Sequence, residues 1–292
     1  MKAFIFPGQG SQFSGMGQEL YQSSEKAKKM FTVANELMGF DISKLMFKGS
    51  SEELKKTNVT QPAIFIHSTI LAACIPDFHP DMVAGHSLGE FSALVASKCI
   101  SFEEGLGLVT KRAEAMYNAC QLQQSTMAAI IGLDADIIEN TCNQHNDIVV
   151  AANYNTPNQI VISGTIDAVD SVCSNLREQG AKKTVILPVN GAFHSPLMQP
   201  AKKTLEEAIN NIQFQKPICP IYQNVNAQAT IDKNVIKSNL ILQLTAPVKW
   251  YQTIENIILD GALEFFEVGP GNILSGINKR INRSIKIIKV EI

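Results

Sequence analysis

The first part of the chain alternates between short apolar runs and longer segments in which apolar residues recur at helical spacing. The apolar runs at 3–6 and 82–84 predict two short buried strands. Helical spacing predicts helices near 25–38, 61–75, 88–97 and 102–120. The second of these opens with Gln61-Pro62, and proline suits the first turn of a helix. Strands that alternate with helices favour a largely parallel sheet covered by helices on both faces.

The pattern changes between about residues 126 and 190. It predicts strands at 127–133, 147–153, 159–163 and 183–189, and helices at 135–144 and 166–179. A turn at 154–158 joins the second and third strands. The order strand, helix, strand, strand, helix, strand is the split βαβ order of a ferredoxin-like unit. We therefore expect a small ferredoxin-like domain at 126–190, inserted into a large α/β domain formed by 1–125 and 191–292.

After residue 190 the chain is predicted to return to the large domain. Helical spacing predicts helices near 197–211 and 234–244. Glu264–Val268 is predicted to be a strand, and it runs into the tight loop Gly269-Pro270-Gly271.

Composition and charge narrow the classes of function. The 292 residues are 45% hydrophobic and 18% charged with a net charge of −2, which gives no reason to expect a nucleic-acid partner. Pro7-Gly8 interrupts the first apolar run too early for a secretory signal, and the apolar stretch at 64–75 is too short to span a membrane. The six cysteines lack metal-ligand spacing and are expected to be reduced, buried thiols, so we expect a cytoplasmic protein without a metal.

Residues 85–89 have the spacing Gly-x-Ser-x-Gly around Ser87. A strand is predicted before this motif and a helix after it, which is the context of a nucleophile elbow. The elbow exposes the serine hydroxyl in a strained turn, next to a helix N-terminus that faces a developing oxyanion. The alternative is a glycine-rich turn with a capping serine.

A serine nucleophile needs a general base, and the sequence contains five histidines. His194 is selected by elimination, because it lies in a turn where the chain re-enters the large domain, and clefts form at such junctions. His86 adjoins the serine and is expected in the pocket wall. No carboxylate between Ser87 and His194 is a convincing third member, so we expect a dyad with His194 oriented by a backbone carbonyl or an amide.

Arg112 lies in the middle of the apolar face of the helix predicted at 102–120. At 100° per residue, its neighbours within about 60° are all apolar or small: Gly105, Leu108, Val109, Ala115, Met116 and Ala119. A buried guanidinium needs an anion. One possibility is an internal ion pair. The other is a bidentate site for a substrate carboxylate, which together with Ser87 predicts an acyl group that carries its own carboxylate.

Nine ordered motifs spread over almost the whole chain resemble those of the malonyl-CoA:acyl carrier protein transacylase family. They are FPGQGSQ (6–12), VTQPA (59–63), AGHSLGEFSAL (84–94), Arg112, MAAIIGL (127–133), NTPNQIVISG (155–164), GAFHSPLM (191–198), QLTAPVKW (243–250) and EVGPGNILSG (267–276). The resemblance implies an α/β-hydrolase-like large domain with a ferredoxin-like insertion. It also implies an enzyme of fatty acid synthesis that forms a malonyl ester on Ser87 and passes it to the phosphopantetheine thiol of acyl carrier protein.

The resemblance also assigns roles to individual residues. Gln9 and Leu88 would supply the backbone N–H groups of an oxyanion hole, and Arg112 would hold the malonyl carboxylate. The backbone carbonyl of Gln243 would orient His194, and the bulk of Phe193 would leave no room for an α-branch on the acyl group. The expected partners are malonyl-CoA and acyl carrier protein, with no cofactor held by the chain, and a monomer is the expected state.

Three other functions stay open from the sequence. A free-standing acyltransferase that serves a polyketide synthase would have nearly the same motifs. A serine esterase or thioesterase would give the acyl group to water, but Arg112 in the apolar face and the missing triad acid argue against it. A binding module without catalysis would require Ser87 and His194 to be incidental.

Overall fold

The computed structural model describes residues 1–291, which form a six-stranded and a four-stranded β-sheet with helices around them. The strands are β1 (Lys2–Phe6), β2 (Met82–Gly85), β3 (Ser125–Ile131), β4 (Val149–Thr156), β5 (Gln159–Thr165), β6 (Lys183–Ile186), β7 (Ile221–Tyr222), β8 (Ala229–Thr230), β9 (Glu264–Glu267) and β10 (Lys286–Lys289). The helices are α1 (Gln18–Ser23), α2 (Glu25–Met38), α3 (Ile42–Lys48), α4 (Ser51–Leu54), α5 (Thr57–Cys74), α6 (Gly89–Ala96), α7 (Phe102–Leu122), α8 (Ala135–Asn143), α9 (Ile166–Glu178), α10 (Gln199–Asn210), α11 (Lys233–Leu242), α12 (Trp250–Leu259) and α13 (Ile273–Ile281). No helix in the described part of the chain combines the length and the apolar character that crossing a membrane requires.

The six-stranded sheet has the order β10-β9-β1-β2-β7-β8, and every pair is parallel except β7 with β8. Successive residues of its central strand β1 point into two different apolar clusters. Phe4 and Phe6 pack into one cluster, whereas Ala3 and Ile5 pack into the other. Since side chains alternate between the two faces of a strand, both faces of this sheet are buried, as the alternation of strands with helices predicted.

The four-stranded sheet is antiparallel with the order β4-β5-β3-β6, and α8 and α9 pack on it around a third apolar cluster. The predicted fold class, a parallel α/β sheet with a separate ferredoxin-like unit, is confirmed. The boundaries proposed at 126 and 190 stay a prediction, and β3 begins at Ser125. Backbone hydrogen bonds join the two parts, because Val248 donates to Ala152 (2.8 Å) and Tyr154 donates to Val248 (2.9 Å).

Two local expectations were wrong. Helix α5 begins at Thr57, so Pro62 lies in its interior and not in its first turn. The backbone N–H groups of Val59 and Thr60 both donate to Lys56, which starts the helix before the proline. The turn between β4 and β5 is also shorter than predicted, because β4 extends to Thr156 and leaves only residues 157 and 158 between the strands.

Candidate active site

Ser87 lies in the turn between the carboxyl end of β2 and the start of α6. Its φ of 53° is in the left-handed region, which non-glycine residues rarely adopt. The turn is packed so tightly that neither flanking position has room for a Cβ, and glycine is therefore required on both sides of Ser87. A Cβ at Gly85 would lie 1.9 Å from the backbone carbon of Gly89, and a Cβ at Gly89 would lie 2.0 Å from the carbonyl oxygen of Phe6. The structure therefore places Ser87 in the strained elbow that the motif predicted.

Asn224 lies two residues after β7, the strand that pairs with β2, and its hydrogen bonds fix the backbone of the elbow. Its Oδ1 accepts a hydrogen bond from the backbone N–H of Ser87 (2.7 Å), and its Nδ2 donates to the carbonyl of Gly85 (2.7 Å). Its own backbone N–H donates to Glu90 Oε2 (2.9 Å). Both Asn224 and Glu90 are completely buried. Neither residue was predicted from the sequence.

His194 faces Ser87 across the site, with 2.8 Å between its Nε2 and the serine Oγ. Its Nδ1 lies 3.0 Å from the carbonyl oxygen of Gln243 and 3.2 Å from that of Ala246. Because carbonyl oxygens only accept hydrogen bonds, Nδ1 must carry the proton and Nε2 is left as an acceptor for the serine hydroxyl. The contact of Gln243 is the one that the resemblance implied, whereas that of Ala246 was not expected.

The surroundings of His194 keep its ring neutral. Burial lowers its pKa to about 3, and the nearby cation of Arg112 contributes to the decrease. A neutral ring can accept a proton at neutral pH without first having to lose one.

Arg112 is 1% exposed and lies beside the same hydroxyl. Its Nη2 donates to Ser87 Oγ (3.1 Å) and to the side-chain oxygen of Gln243 (3.3 Å), and its Nη1 donates to Gln61 Oε1 (2.5 Å). The ring of Phe91 lies 5.6 Å from the guanidinium carbon. Burial lowers the pKa of Arg112 to about 10, so the side chain stays protonated at neutral pH.

The ion pairs within residues 1–291 are all formed by lysines, so Arg112 is not paired with a described carboxylate. The buried carboxyl of Glu90 acts on it only through its charge, which raises the pKa of Arg112. The oxygens of Glu90 accept hydrogen bonds from Gln223 Nε2 (3.0 Å) and the backbone of Asn224. Burial raises the pKa of Glu90. The guanidinium therefore has uncharged contacts only.

A cavity of about 220 Å³ opens between the two sheets in front of Ser87. Its wall includes the reacting groups and residues of both parts of the chain: Gln9, His86, Ser87, Leu88, Arg112, Met127, Asn155, Val161, Phe193, His194 and Leu274. The backbone N–H groups of Gln9 and Leu88 donate to no atom of residues 1–291. Both N–H groups are thus free to donate a hydrogen bond, and both residues line the cavity.

Two further residues of the wall connect the parts of the chain. His86 Nε2 lies 2.9 Å from Asn155 Oδ1, and its ring lies 5.4 Å from that of Trp250. The carbonyl of Phe193 accepts a hydrogen bond from Ser163 of β5 (2.7 Å). The structure thus places His86 and Phe193 in the cavity wall, and the exclusion of an α-branch by Phe193 stays a prediction. Among residues 1–291, no three His, Cys, Asp or Glu side chains come together as metal ligands would.

Comparisons with known proteins agree on one family. A family model described as an acyl transferase domain matches residues 3–291. A malonyl CoA-acyl carrier protein transacylase of Staphylococcus aureus is 40% identical over 292 residues, which is 99% of this chain and 95% of the relative. A protein of the same name from Bacillus subtilis is 41% identical over 293 residues, with 99% and 92% covered.

Solved structures give the same result. The malonyl CoA-acyl carrier protein transacylase of Coxiella burnetii has a TM-score of 0.95 at 38% identity, and the match covers 99% of this chain and 93% of that one. A malonyl-transacylase solved in complex with a type II polyketide synthase acyl-carrier protein has a TM-score of 0.95 at 35% identity, with 99% and 95% covered.

Proposed function

This chain belongs to the acyl transferase domain family, and we propose that it transfers malonyl from malonyl-CoA to the phosphopantetheine thiol of acyl carrier protein, for fatty acid synthesis. One observation carries the proposal. A buried guanidinium without a carboxylate partner donates to Ser87 Oγ, the same oxygen that contacts His194 Nε2. A nucleophile and a receptor for a carboxylate therefore lie next to each other in one cavity. A malonyl thioester carries its reacting carbonyl and its carboxylate one methylene apart, so both fit there.

In the first half-reaction, Ser87 Oγ attacks the thioester carbonyl carbon of malonyl-CoA while His194 Nε2 takes the hydroxyl proton. The tetrahedral oxyanion accepts hydrogen bonds from the backbone N–H groups of Gln9 and Leu88. When the C–S bond breaks, protonated His194 returns the proton to the CoA sulfur. The products are the malonyl ester of Ser87 and CoA.

The carbonyl oxygens of Gln243 and Ala246 take the place that a carboxylate has in a Ser-His-Asp triad. They fix the tautomer of His194, and their partial negative charge favours the imidazolium form that exists during each proton transfer. The dyad therefore needs no third acid.

The malonyl carboxylate is proposed to bind Arg112 and to displace its hydrogen bond to Ser87 Oγ. Binding has a second effect, because the charge of Arg112 is one of the causes that lower the pKa of His194. A carboxylate that neutralises this charge makes His194 a stronger base in the complex. The malonyl carboxylate thus raises the basicity of the histidine that takes part in malonyl transfer.

In the second half-reaction, the phosphopantetheine thiol of the carrier protein attacks the ester carbonyl. His194 takes the thiol proton and gives it to Ser87 Oγ, which regenerates the free enzyme. The two half-reactions form a ping-pong cycle, and because the overall reaction exchanges one phosphopantetheine thioester for another the transfer is reversible. The chain itself needs no metal or cofactor for these steps.

We further propose that it acts as a monomer in the cytoplasm, where its six free cysteines stay reduced.

A second candidate function is the supply of malonyl to a polyketide synthase. It is supported by the similarity to the malonyl-transacylase that was solved with a polyketide synthase acyl-carrier protein. The chemistry is the same and only the carrier differs. Comparison of kcat/KM for carriers of the two pathways distinguishes them.

The proposal is tested by product analysis after incubation with malonyl-CoA and a carrier protein that bears phosphopantetheine. We expect malonyl-carrier protein and CoA in equal amounts, and little free malonate. The Ser87→Ala variant is the control and should form neither product. Free malonate as the main product would instead identify a thioesterase.

A further inference from the structure

Gln61 is a completely buried polar residue of α5 that the catalytic steps above do not use. Helix α5 packs along α7, the helix that carries Arg112. Gln61 Oε1 accepts the 2.5 Å hydrogen bond from Arg112 Nη1, and its Nε2 donates to the sulfur of Met116 (3.3 Å). A guanidinium has only donors and a thioether sulfur only accepts, so the two neighbours fix which end of the amide faces Arg112.

We propose that the lack of charge on Gln61 preserves the selectivity of this site for acyl groups that carry a carboxylate, because its amide oxygen contacts Arg112 without neutralising it. The inference rests on the proposed function and assigns a cause to its substrate preference. A guanidinium can be held in place by a carboxylate or by neutral acceptors. Only the second choice leaves a full positive charge for the substrate.

The remaining contacts of Arg112 fit this interpretation. The amide oxygen of Gln243, the hydroxyl of Ser87 and the ring of Phe91 are all uncharged. Glu90, the acid whose charge acts on the guanidinium, directs its oxygens to other donors. Gln61 makes the shortest of these hydrogen bonds, so a charge on this side chain would affect the guanidinium more than a charge on any of the others.

The substitution Gln61→Glu tests the inference, because it preserves the shape of the side chain and supplies an acid at hydrogen-bond distance from Nη1. The cation would keep this buried carboxylate ionised, and the resulting pair would have no net charge. We expect the ratio of kcat/KM for malonyl-CoA to that for acetyl-CoA to fall roughly 100-fold, as for the loss of a buried charge interaction. Transfer of acetyl, which has no carboxylate, should continue.

A second variant, Gln61→Met, separates charge from position. It removes the amide oxygen but leaves Arg112 charged, so the preference for malonyl should survive, although the loss of one hydrogen bond to a charged group should raise the KM for malonyl-CoA roughly 10-fold or somewhat more. The matched control is Gln121→Glu, which makes the same change at an exposed position of α7 and should leave both activities unchanged.

Folding of each variant is checked by the rate at which a small uncharged organophosphonate labels Ser87. The inference is overturned if Gln61→Glu keeps the malonyl preference of the unaltered enzyme. It is equally overturned if Gln61→Met loses that preference while it still reacts with the organophosphonate. Failure of the unaltered enzyme to transfer malonyl would instead contradict the proposed function, so the two failures are distinguishable.

Discussion

Ser87 and His194 both have a positive φ, 53° and 58°, in the left-handed region where L-amino acids are strained. Strain of this kind persists only where surrounding contacts impose it. Around Ser87 these contacts come from Asn224 and the packed glycines, whereas at His194 two backbone carbonyls hold the imidazole ring. The strained backbone presents the hydroxyl and the imidazole nitrogen to each other at 2.8 Å.

Three site residues could be predicted from the sequence itself, because the pattern of residues around each of them indicated a role. Ser87 stood out by its glycine spacing, Arg112 by its place on an apolar helix face, and His194 by elimination. Gln9, Leu88, Gln243 and Phe193 could be named only through the family resemblance, because what matters in the first three is a backbone group, which has no signature in residue type. Asn224, Glu90 and Asn155 had no local signal at all, since their partners are distant in sequence.

Arg112→Ala is expected to remove malonyl selectivity. Without the cation, the malonyl carboxylate would enter an apolar cavity unpaired, so kcat/KM for malonyl-CoA should fall about 100-fold or more. Transfer from acetyl-CoA should be kept or increased. The control is Lys111→Ala, which removes the adjacent exposed cation of α7. Equal loss of both activities in Arg112→Ala would mean that the arginine is structural.

The pH dependence of acylation follows from the lowered pKa of His194. The neutral, basic form exists above the pKa, so a pKa of about 3 predicts that kcat/KM for acetyl-CoA stays level as pH falls from 8 to about 5. In Arg112→Ala one cause of the decrease is gone, and the acid limb should move to higher pH. Acetyl-CoA is used because it has no carboxyl of its own to titrate. An acid limb near pH 6.5 in the unaltered enzyme would contradict this account.

At the scale of elements, the elbow depends on how closely β1, β2 and α6 approach each other.

Periodicity predicted the central strands β1, β2 and β9 and the long helices α2, α7 and α9, because each is long or apolar enough to show its period. It missed β7 and β8, which have two residues each and no period to detect. Helix α12 was missed although its buried positions Trp250, Ile254 and Ile257 have helical spacing, so that signal was present in the sequence.

Gly89→Ala should disrupt the elbow. The new Cβ would lie 2.0 Å from the carbonyl oxygen of Phe6, so β1 or α6 must shift. We expect a loss of stability of about 2 kcal/mol or more and a large fall in labelling of Ser87. The measurements are urea denaturation and the rate of organophosphonate labelling.

The matched control is Gly107→Ala on the exposed face of α7, where a Cβ meets nothing within 4 Å. It should raise stability by about 0.5–1 kcal/mol, because alanine favours a helix more than glycine. If both variants behaved alike, close packing at the elbow would not be the reason for Gly89.

At the scale of the whole molecule, the cavity lies between the six-stranded and the four-stranded sheet, so neither part alone encloses an acyl group. The sequence order of strands and helices predicted both parts. It could not predict how they meet, because Val248 with Ala152 and His86 with Asn155 are long-range contacts. An ester enclosed by both parts is shielded from water, and transfer to a thiol can then compete with hydrolysis.

Asn155→Ala should weaken this enclosure. It removes the 2.9 Å contact with His86 and leaves a half-buried ring nitrogen without its hydrogen-bond partner. We expect the fraction of malonyl released as free malonate to increase several-fold relative to malonyl-carrier protein. The control Asn158→Ala lies in the exposed turn of the same sheet and should not change this fraction. An unchanged fraction in Asn155→Ala would show that this bridge does not exclude water.

The most direct test of the account is the intact mass of the protein after brief exposure to malonyl-CoA, with and without a carrier protein that bears phosphopantetheine. We predict a gain of one malonyl group that maps to Ser87, disappears when the carrier is added, and is absent from Ser87→Ala. A protein that gains no mass, or a Ser87→Ala variant that still gains it, would contradict the claim that this serine carries the acyl group between the two thiols.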